Sequence, residues 1–172
     1  TMLVQVSERL QQKDRDHVIE RIWRKDHTVW KDDPTQIANR LGWLTVSDLM
    51  HERIGELDAF AKQAAGDGLE TAVLLGMGGS SLAPEVFMRT FGAADGALEL
   101  IVLDTTHPAT IERVAGQLEL DRTLFIVASK SGGTTETLSH LAFFWDKVPN
   151  GTQFVAITDP GPRILTPRVG IA

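Results

Sequence analysis

Nine consecutive residues, Ser129-Lys130-Ser131-Gly132-Gly133-Thr134-Thr135-Glu136-Thr137, bring hydroxyls, a lysine, paired glycines and an acid together between two kinds of pattern. The apolar run Leu124-Phe125-Ile126-Val127-Ala128 precedes them, and a helical spacing of Leu138, Leu141, Trp145 and Val148 comes after. The order reads as strand, loop, helix. Hydroxyl side chains and glycine amides gathered at the positive end of a helix suit a doubly charged oxyanion such as a phosphate monoester. The same groups also serve as helix caps and tight turns, so this loop by itself is compatible with an ordinary strand-to-helix connection.

A second loop of the same kind lies upstream. Thr71-Ala72-Val73-Leu74-Leu75 runs into Gly76-Met77-Gly78-Gly79-Ser80-Ser81, and Pro84 suits the first turn of the next helix. Two strand ends thus carry glycines beside paired hydroxyls. From Glu70 onward the chain alternates strand and helix signals, with strands at Thr71–Leu75, Leu98–Leu103, Thr123–Ala128 and Gln153–Ile157. A helical pattern of Ile111, Val114, Ala115 and Leu118 comes after Pro108, between the second and third. Continuous apolar strands separated by helices predict an α/β fold, a doubly wound parallel sheet covered on both faces. With right-handed crossovers and strand order 2-1-3-4, the first and third strands diverge at the switch point, where ligands bind in such sheets. Those two strands own the two glycine-hydroxyl loops.

Composition bounds the remaining possibilities. The chain has 172 residues, 42% of them apolar, and a formal net charge of −6. A domain of this size buries roughly 70% of its unfolded surface. The absence of cysteine removes disulfides, thiolate metal sites and a cysteine nucleophile from consideration. No apolar run approaches the roughly 20 residues of a bilayer span, and no signal-peptide pattern is present, so the expectation is a cytoplasmic protein with no membrane partner. The acidic balance argues against nonspecific nucleic-acid binding. An anion must then be attracted locally, by amides, hydroxyls and a few cations.

Residues 1–67 read as a helical N-terminal extension, a lid or packing layer for the strand-bearing region. Ser7 is expected to cap a first helix carrying Leu10, Val18, Ile22 and Trp23. A short segment over residues 37–44 comes after Asp32-Asp33-Pro34, and Ser47 or Asp48 is expected to cap a stronger helix. That helix carries Met50, Ile54, Leu57, Ala61 and Ala64 and ends near Gly66 and Gly68. Trp23, Trp30 and Trp43 are expected in the core rather than stacked on a sugar.

The two motifs resemble those of the sugar isomerase domain, and specifically the N-terminal half of the glucose-6-phosphate isomerase family. Gly76-Met77-Gly78-Gly79-Ser80-Ser81-Leu82 and Ser129 to Thr137 occur in the family's order. Asp104-Thr105-Thr106-His107-Pro108 and Ile157-Thr158-Asp159-Pro160-Gly161 are also similar to the family, and Arg40-Leu41-Gly42-Trp43-Leu44 resembles the isomerase portion of fused transaldolase/phosphoglucose isomerase proteins. The resemblance implies a flavodoxin-like strand order over residues 68–161, and a parent that interconverts glucose 6-phosphate and fructose 6-phosphate through an enediolate. It implies that Ser129, Ser131, Thr134 and the Lys130 amide bind the phosphate, with Gly78, Gly79 and Ser80 facing the sugar. Glu136 matches a family glutamate near the sugar hydroxyls, an auxiliary group that orients substrate or water.

Other roles for the same residues stay open. Glu136 is also a first-turn acid favoured by the helix dipole, Lys130 either neutralises phosphate or is a solvated cation, and His107 reads as a loop residue. His17, His27, His51 and His140 lack ligand spacing, so neither a metal nor a cofactor is expected. The second sugar isomerase domain of the family, with its base glutamate, arginine, histidine and lysine, is not in this sequence. Residues 162–172 form an atypical tail with prolines and no helical stripe, and Thr1 precedes Met2. The expectation is an N-terminal-type fragment that binds a sugar phosphate and is inactive alone. A homodimer is one way to cover the apolar surface left exposed. Two alternatives remain: a non-catalytic sugar-phosphate sensor, and a Rossmann-type dinucleotide domain in which Gly76-x-Gly78 and Asp104 play the cofactor-binding parts. Ser81 stands against the second, at a position where that fingerprint takes glycine or alanine.

Overall fold

β1 (Thr71–Gly76), β2 (Glu99–Leu103), β3 (Thr123–Ala128), β4 (Phe154–Ile157) and β5 (Gly170–Ile171) form a parallel sheet of order 2-1-3-4-5 in the computed structural model. The structure describes residues 2–148, 151–159 and 170–171. The four expected strands form in the expected order, shifted at their ends by one residue: β1 continues to Gly76, β2 starts at Glu99, and Gln153 sits in a short 3-10 turn before β4. β5 has no counterpart among the expected strands, because two residues carry no strand pattern. Most of the tail over residues 162–172 lies outside the described residues.

Contacts divide the chain into two units, Thr1–Leu57 and Asp58–Ala172. In the second unit the crossovers are α4 (Leu82–Phe91), α5 (Pro108–Gln117) and α6 (Thr135–Lys147). α5 starts on Pro108, whose fixed φ suits a first helical position. Alternation along the strands sends Val73, Leu75, Phe125, Val127, Phe154 and Ala156 to one face, where they pack with Val114 of α5 and Leu141, Phe144 and Val148 at α6. Phe125 sits at the centre, fully buried, with ring centroids 4.8 Å from Phe144 and 4.9 Å from Phe154.

The opposite face is covered more thinly. Ala72, Leu124 and Val155 meet Ala64, from the last turns of α3 (Val46–Gly66), and a groove of about 440 Å³ opens beside Leu100 and Ile126. α4 leaves Leu82, Val86, Phe87 and Phe91 exposed.

Polar bonds stitch the N-terminal edge of the sheet. Glu99 N–H donates to the Glu70 carbonyl and Glu70 N–H to that of Arg122, each at 2.9 Å, while the Arg122 guanidinium pairs with the Glu70 carboxylate. Buried Gln153 donates to the carbonyls of Leu120 at 2.6 Å and Thr123 at 2.9 Å. The starts of β1 to β4 are therefore tied to their neighbours, and the loops at the other edge are free to differ.

In the first unit, α1 (Met2–Arg15) and α2 (Val18–Trp23) are separated by His17 in a left-handed conformation, φ 51°. Ser7 falls inside α1 and caps nothing, which corrects the sequence reading. α3 begins at Val46, so Ser47 and Asp48 lie within its first turn rather than before it, and its end at Gly66 agrees. The tryptophans are also corrected: Trp23, Trp30 and Trp43 are 62%, 48% and 61% exposed. Met50, Ile54 and Leu57 are exposed as well, so helical spacing alone did not identify a buried face. Leu41 and Leu44, in the 3-10 turn Ala38–Leu44, are buried. Asp26 accepts from Thr28 N–H at 2.9 Å, from the Thr28 hydroxyl at 2.5 Å and from Arg21 Nε at 2.8 Å. The Thr28 hydroxyl foremost, then Arg21, holds its pKa down at about 2. The Thr35 amide likewise holds Asp33 below the usual carboxylate range.

Among the described residues no helix is long and apolar enough to cross a membrane.

Candidate functional site

Gly76 and Ala128, the last residues of β1 and β3, are register partners in adjacent parallel strands. Both glycine-hydroxyl loops therefore leave the same edge of the sheet from neighbouring positions, at the switch point of the strand order. A Cβ on Gly76 would stand 3.4 Å from the Ala128 carbonyl oxygen and 3.3 Å from Ser80, so a side chain there would press on the tip of β3 and on the Ser80 turn.

In the loop from β3 to α6, Gly132 adopts φ 67°, a left-handed conformation that favours glycine. Its N–H donates to the Ser129 carbonyl at 3.0 Å, and the Gly133 N–H to the Ser131 hydroxyl at 3.3 Å. The glycine amides are thus committed inside the turn and do not converge on a common point, which corrects the sequence reading. Ser129 is 4% exposed, and its Oγ lies 2.9 Å from Thr134 Oγ1. Thr134 is the N-cap residue of α6 by position, yet its side chain makes no capping bond. The donors left open are the first amides of α6, with the positive end of its dipole, and the amide of Lys130. The Lys130 side chain is exposed and has no ion-pair partner among the described residues. Its backbone carbonyl accepts from Asp159 N–H at 3.1 Å and the Thr158 hydroxyl at 3.4 Å, which ties this loop to the end of β4.

The loop from β1 to α4 is built alike. Gly78 has φ 54°, Gly79 is exposed and Ser80 half-buried. Buried Ser81 precedes α4 without capping it, because its hydroxyl donates to the Gly78 carbonyl at 3.0 Å. In both loops the hydroxyl that normally covers the first helical turn is turned back into the loop.

Glu136 also borders a second space. It is exposed in the first turn of α6 and lines a cavity of about 520 Å³ together with Thr106, Pro108, Ile111, Glu112, Thr135, Ser139 and Phe143. None of these comes from residues 76–81, so the structure groups Glu136 with the loop after β2. Sequence reading gave that loop a likeness of Asp104-Thr105-Thr106-His107-Pro108 to a family pattern and, in the dinucleotide alternative, a cofactor-binding part for Asp104. It named His140 only as a histidine without ligand spacing, whereas the residue is fully buried with Nε2 at 2.9 Å from the Thr105 carbonyl. A bond from one side chain to a distant backbone carbonyl leaves no trace in residue spacing. Among the described residues no group of three or more His, Asp or Glu is placed to hold a metal ion.

Comparisons with known proteins show what the chain is similar to. The family model described as phosphoglucose isomerase matches residues 9–145. The chain is 31% identical over 134 residues to a glucose-6-phosphate isomerase of Synechococcus sp. (strain JA-3-3Ab), a match covering 69% of this chain and 25% of that protein. It is 34% identical over 143 residues to a glucose-6-phosphate isomerase of Thermus thermophilus, covering 78% of this chain and 33% of that one. The chain therefore spans between 25% and 33% of the length of these curated relatives. Its fold is similar to the crystal structure of a glucose-6-phosphate isomerase from Chlamydia trachomatis D/UW-3/Cx, with a TM-score of 0.65 and 23% identity over 87% of this chain and 29% of that one.

Proposed function

The chain belongs to the phosphoglucose isomerase family, and from that premise we propose that its parallel-sheet unit is a sugar isomerase domain that holds a sugar phosphate between the loops after β1 and β3. The phosphate sits on the first-turn amides of α6 and the Lys130 amide, with the hydroxyls of Ser129, Ser131 and Thr134 as further partners and the Lys130 ammonium nearby. Gly78, Gly79 and Ser80 form the opposing wall against the sugar. The observation that carries this reading is Thr134: it occupies the N-cap of α6 and its hydroxyl pairs with that of Ser129, which leaves the positive end of the helix open.

In the parent enzyme the substrate pair is glucose 6-phosphate and fructose 6-phosphate, interconverted in the cytoplasm by proton transfer between C1 and C2 through an enediolate. Proton transfer needs a base within hydrogen-bond reach of the substrate. Glu136 supplies an auxiliary carboxylate that orients substrate or water, and the base comes from a part of the parent outside this sequence. The chain alone is accordingly a binding domain without turnover. Its exposed apolar residues on α4, Leu82, Val86, Phe87 and Phe91, are surface that a second copy or the rest of a longer parent covers.

Calorimetric titration tests the reading. Fructose 6-phosphate and inorganic phosphate are expected to bind and fructose is not. Equal affinity for fructose and fructose 6-phosphate overturns phosphate anchoring, and turnover by this chain in a coupled assay overturns the assignment of the base to another part of the parent.

A further inference from the structure

His140 lies outside the proposed phosphate loop, next in sequence to Ser139, which lines the same cavity as Glu136. Its ring is fully buried on α6, and Nε2 stands 2.9 Å from the carbonyl oxygen of Thr105, 35 residues away in sequence. A nitrogen facing a carbonyl oxygen carries the hydrogen, so Nε2–H donates, and the other ring nitrogen is Nδ1. That Nδ1 is buried without a partner, as is Thr137 Oγ1 one turn earlier on the same helix. Burying a polar atom unpaired is unfavourable, and an apolar side chain of similar volume would fill the space without that penalty. What the imidazole adds is the single bond to Thr105.

That bond reaches a loop with its own order. The Thr105 hydroxyl accepts from the His107 amide at 3.2 Å, just before Pro108 opens α5. Thr106 and Pro108 form one wall of the cavity of about 520 Å³, and Thr135, Glu136 and Ser139 of α6 form the other. His140 comes directly after Ser139. We propose that His140 is a positioning residue: by holding the Thr105 carbonyl against α6, it fixes the loop of residues 104–107 and sets the separation between the Thr106 and Glu136 walls.

The sugar-binding consequence rests on the phosphosugar reading, whereas the loop-fixing consequence does not, and the test reads them separately. The variants are His140→Leu, which removes the bond, and His140→Gln, which keeps a donor of similar reach; His140→Met replaces the Leu variant if that one does not fold. In the first arm, amide hydrogen exchange of His107 in the unliganded chain is expected to speed up about tenfold in His140→Leu, the factor that one hydrogen bond corresponds to, and to return toward wild type in His140→Gln. Unchanged His107 exchange in the Leu variant overturns the proposal. In the second arm, inorganic phosphate affinity is expected to stay at the wild-type value in His140→Leu while fructose 6-phosphate affinity falls about fivefold, since a bond to phosphate needs only the intact loop after β3. A merely structural role would lower the melting temperature and move both affinities together, and that outcome overturns the setting of the cavity walls. Wild-type protein that binds neither probe overturns the phosphosugar reading, and the exchange arm then decides on His140 by itself.

Discussion

Thr134 Oγ1 and Ser129 Oγ lie 2.9 Å apart, one at the N-cap of α6 and the other just past the end of β3. The pair spans the glycine turn and holds it closed without using the helix amides. An ordinary threonine cap would satisfy an N2 or N3 amide, and none is satisfied this way here. The turn is thereby shaped before any ligand arrives, which reduces the ordering that binding must impose.

Replacing either partner should weaken binding more than folding. Ser129→Ala and Thr134→Ala are each expected to reduce fructose 6-phosphate affinity by about 1.5–3 kcal/mol, the range of a hydrogen bond to a charged group. Because the two hydroxyls share one bond, the double variant should lose less than the sum. Calorimetry on the three variants checks this, and affinities within error of wild type would remove these hydroxyls from the site.

The close approach at Gly76 makes a separate prediction. An alanine there places its Cβ 3.3 Å from Ser80 and 3.4 Å from the Ala128 carbonyl, so one strand tip must give way. Gly76→Ala is expected to lower unfolding free energy by about 1–3 kcal/mol, as overpacking does, and to displace the Ser80 turn. Denaturant titration measures the first effect, and amide shifts of residues 77–81 the second.

Much of this arrangement was legible in the sequence. Each of β1 to β4 is an apolar run that ends at glycine, hydroxyl or acid, so strand identity, order and the two loops could be read in advance. The misreadings share a physical cause: helical periodicity says that one face differs from the other, but not that the apolar face is covered. Trp23, Ile54 and Leu57, each placed on a helical stripe, are exposed for that reason. Within the site, the glycine amides looked free because a sequence does not display hydrogen bonds internal to a turn. His140 was unreadable because its partner is a carbonyl, which every residue has.

The centre of the sheet carries the stability of the second unit. Phe125 is fully buried between Phe144 and Phe154, and truncating it leaves a cavity at the join of β1, β3 and β4. Phe125→Ala is expected to cost about 3–5 kcal/mol, measured by denaturant unfolding. A loss below about 1 kcal/mol, the scale of a surface change, would show that this ring is not central.

Acid should loosen the turn around Asp26. Its folded pKa of about 2 lies below the ordinary 3.8, because Thr28 and Arg21 favour the carboxylate. A carboxylate with a lowered pKa adds stability above its unfolded value and loses it as pH falls through the folded value. The Thr28 amide, which donates to Asp26, should therefore exchange faster in Asp26→Asn than in wild type at neutral pH. That difference should shrink between about pH 4 and pH 2, once intrinsic rates are corrected for. A difference constant across this window would contradict the cause assigned to the shift.

Crystals of the chain soaked with fructose 6-phosphate give the most direct measurement. The phosphorus is expected at the mouth between the loops after β1 and β3, with phosphate oxygens within hydrogen-bond reach of the first amides of α6 and of the Ser129 or Thr134 hydroxyl. Phosphate density confined to any other surface, with the α6 amides left without the anion, would contradict the assignment.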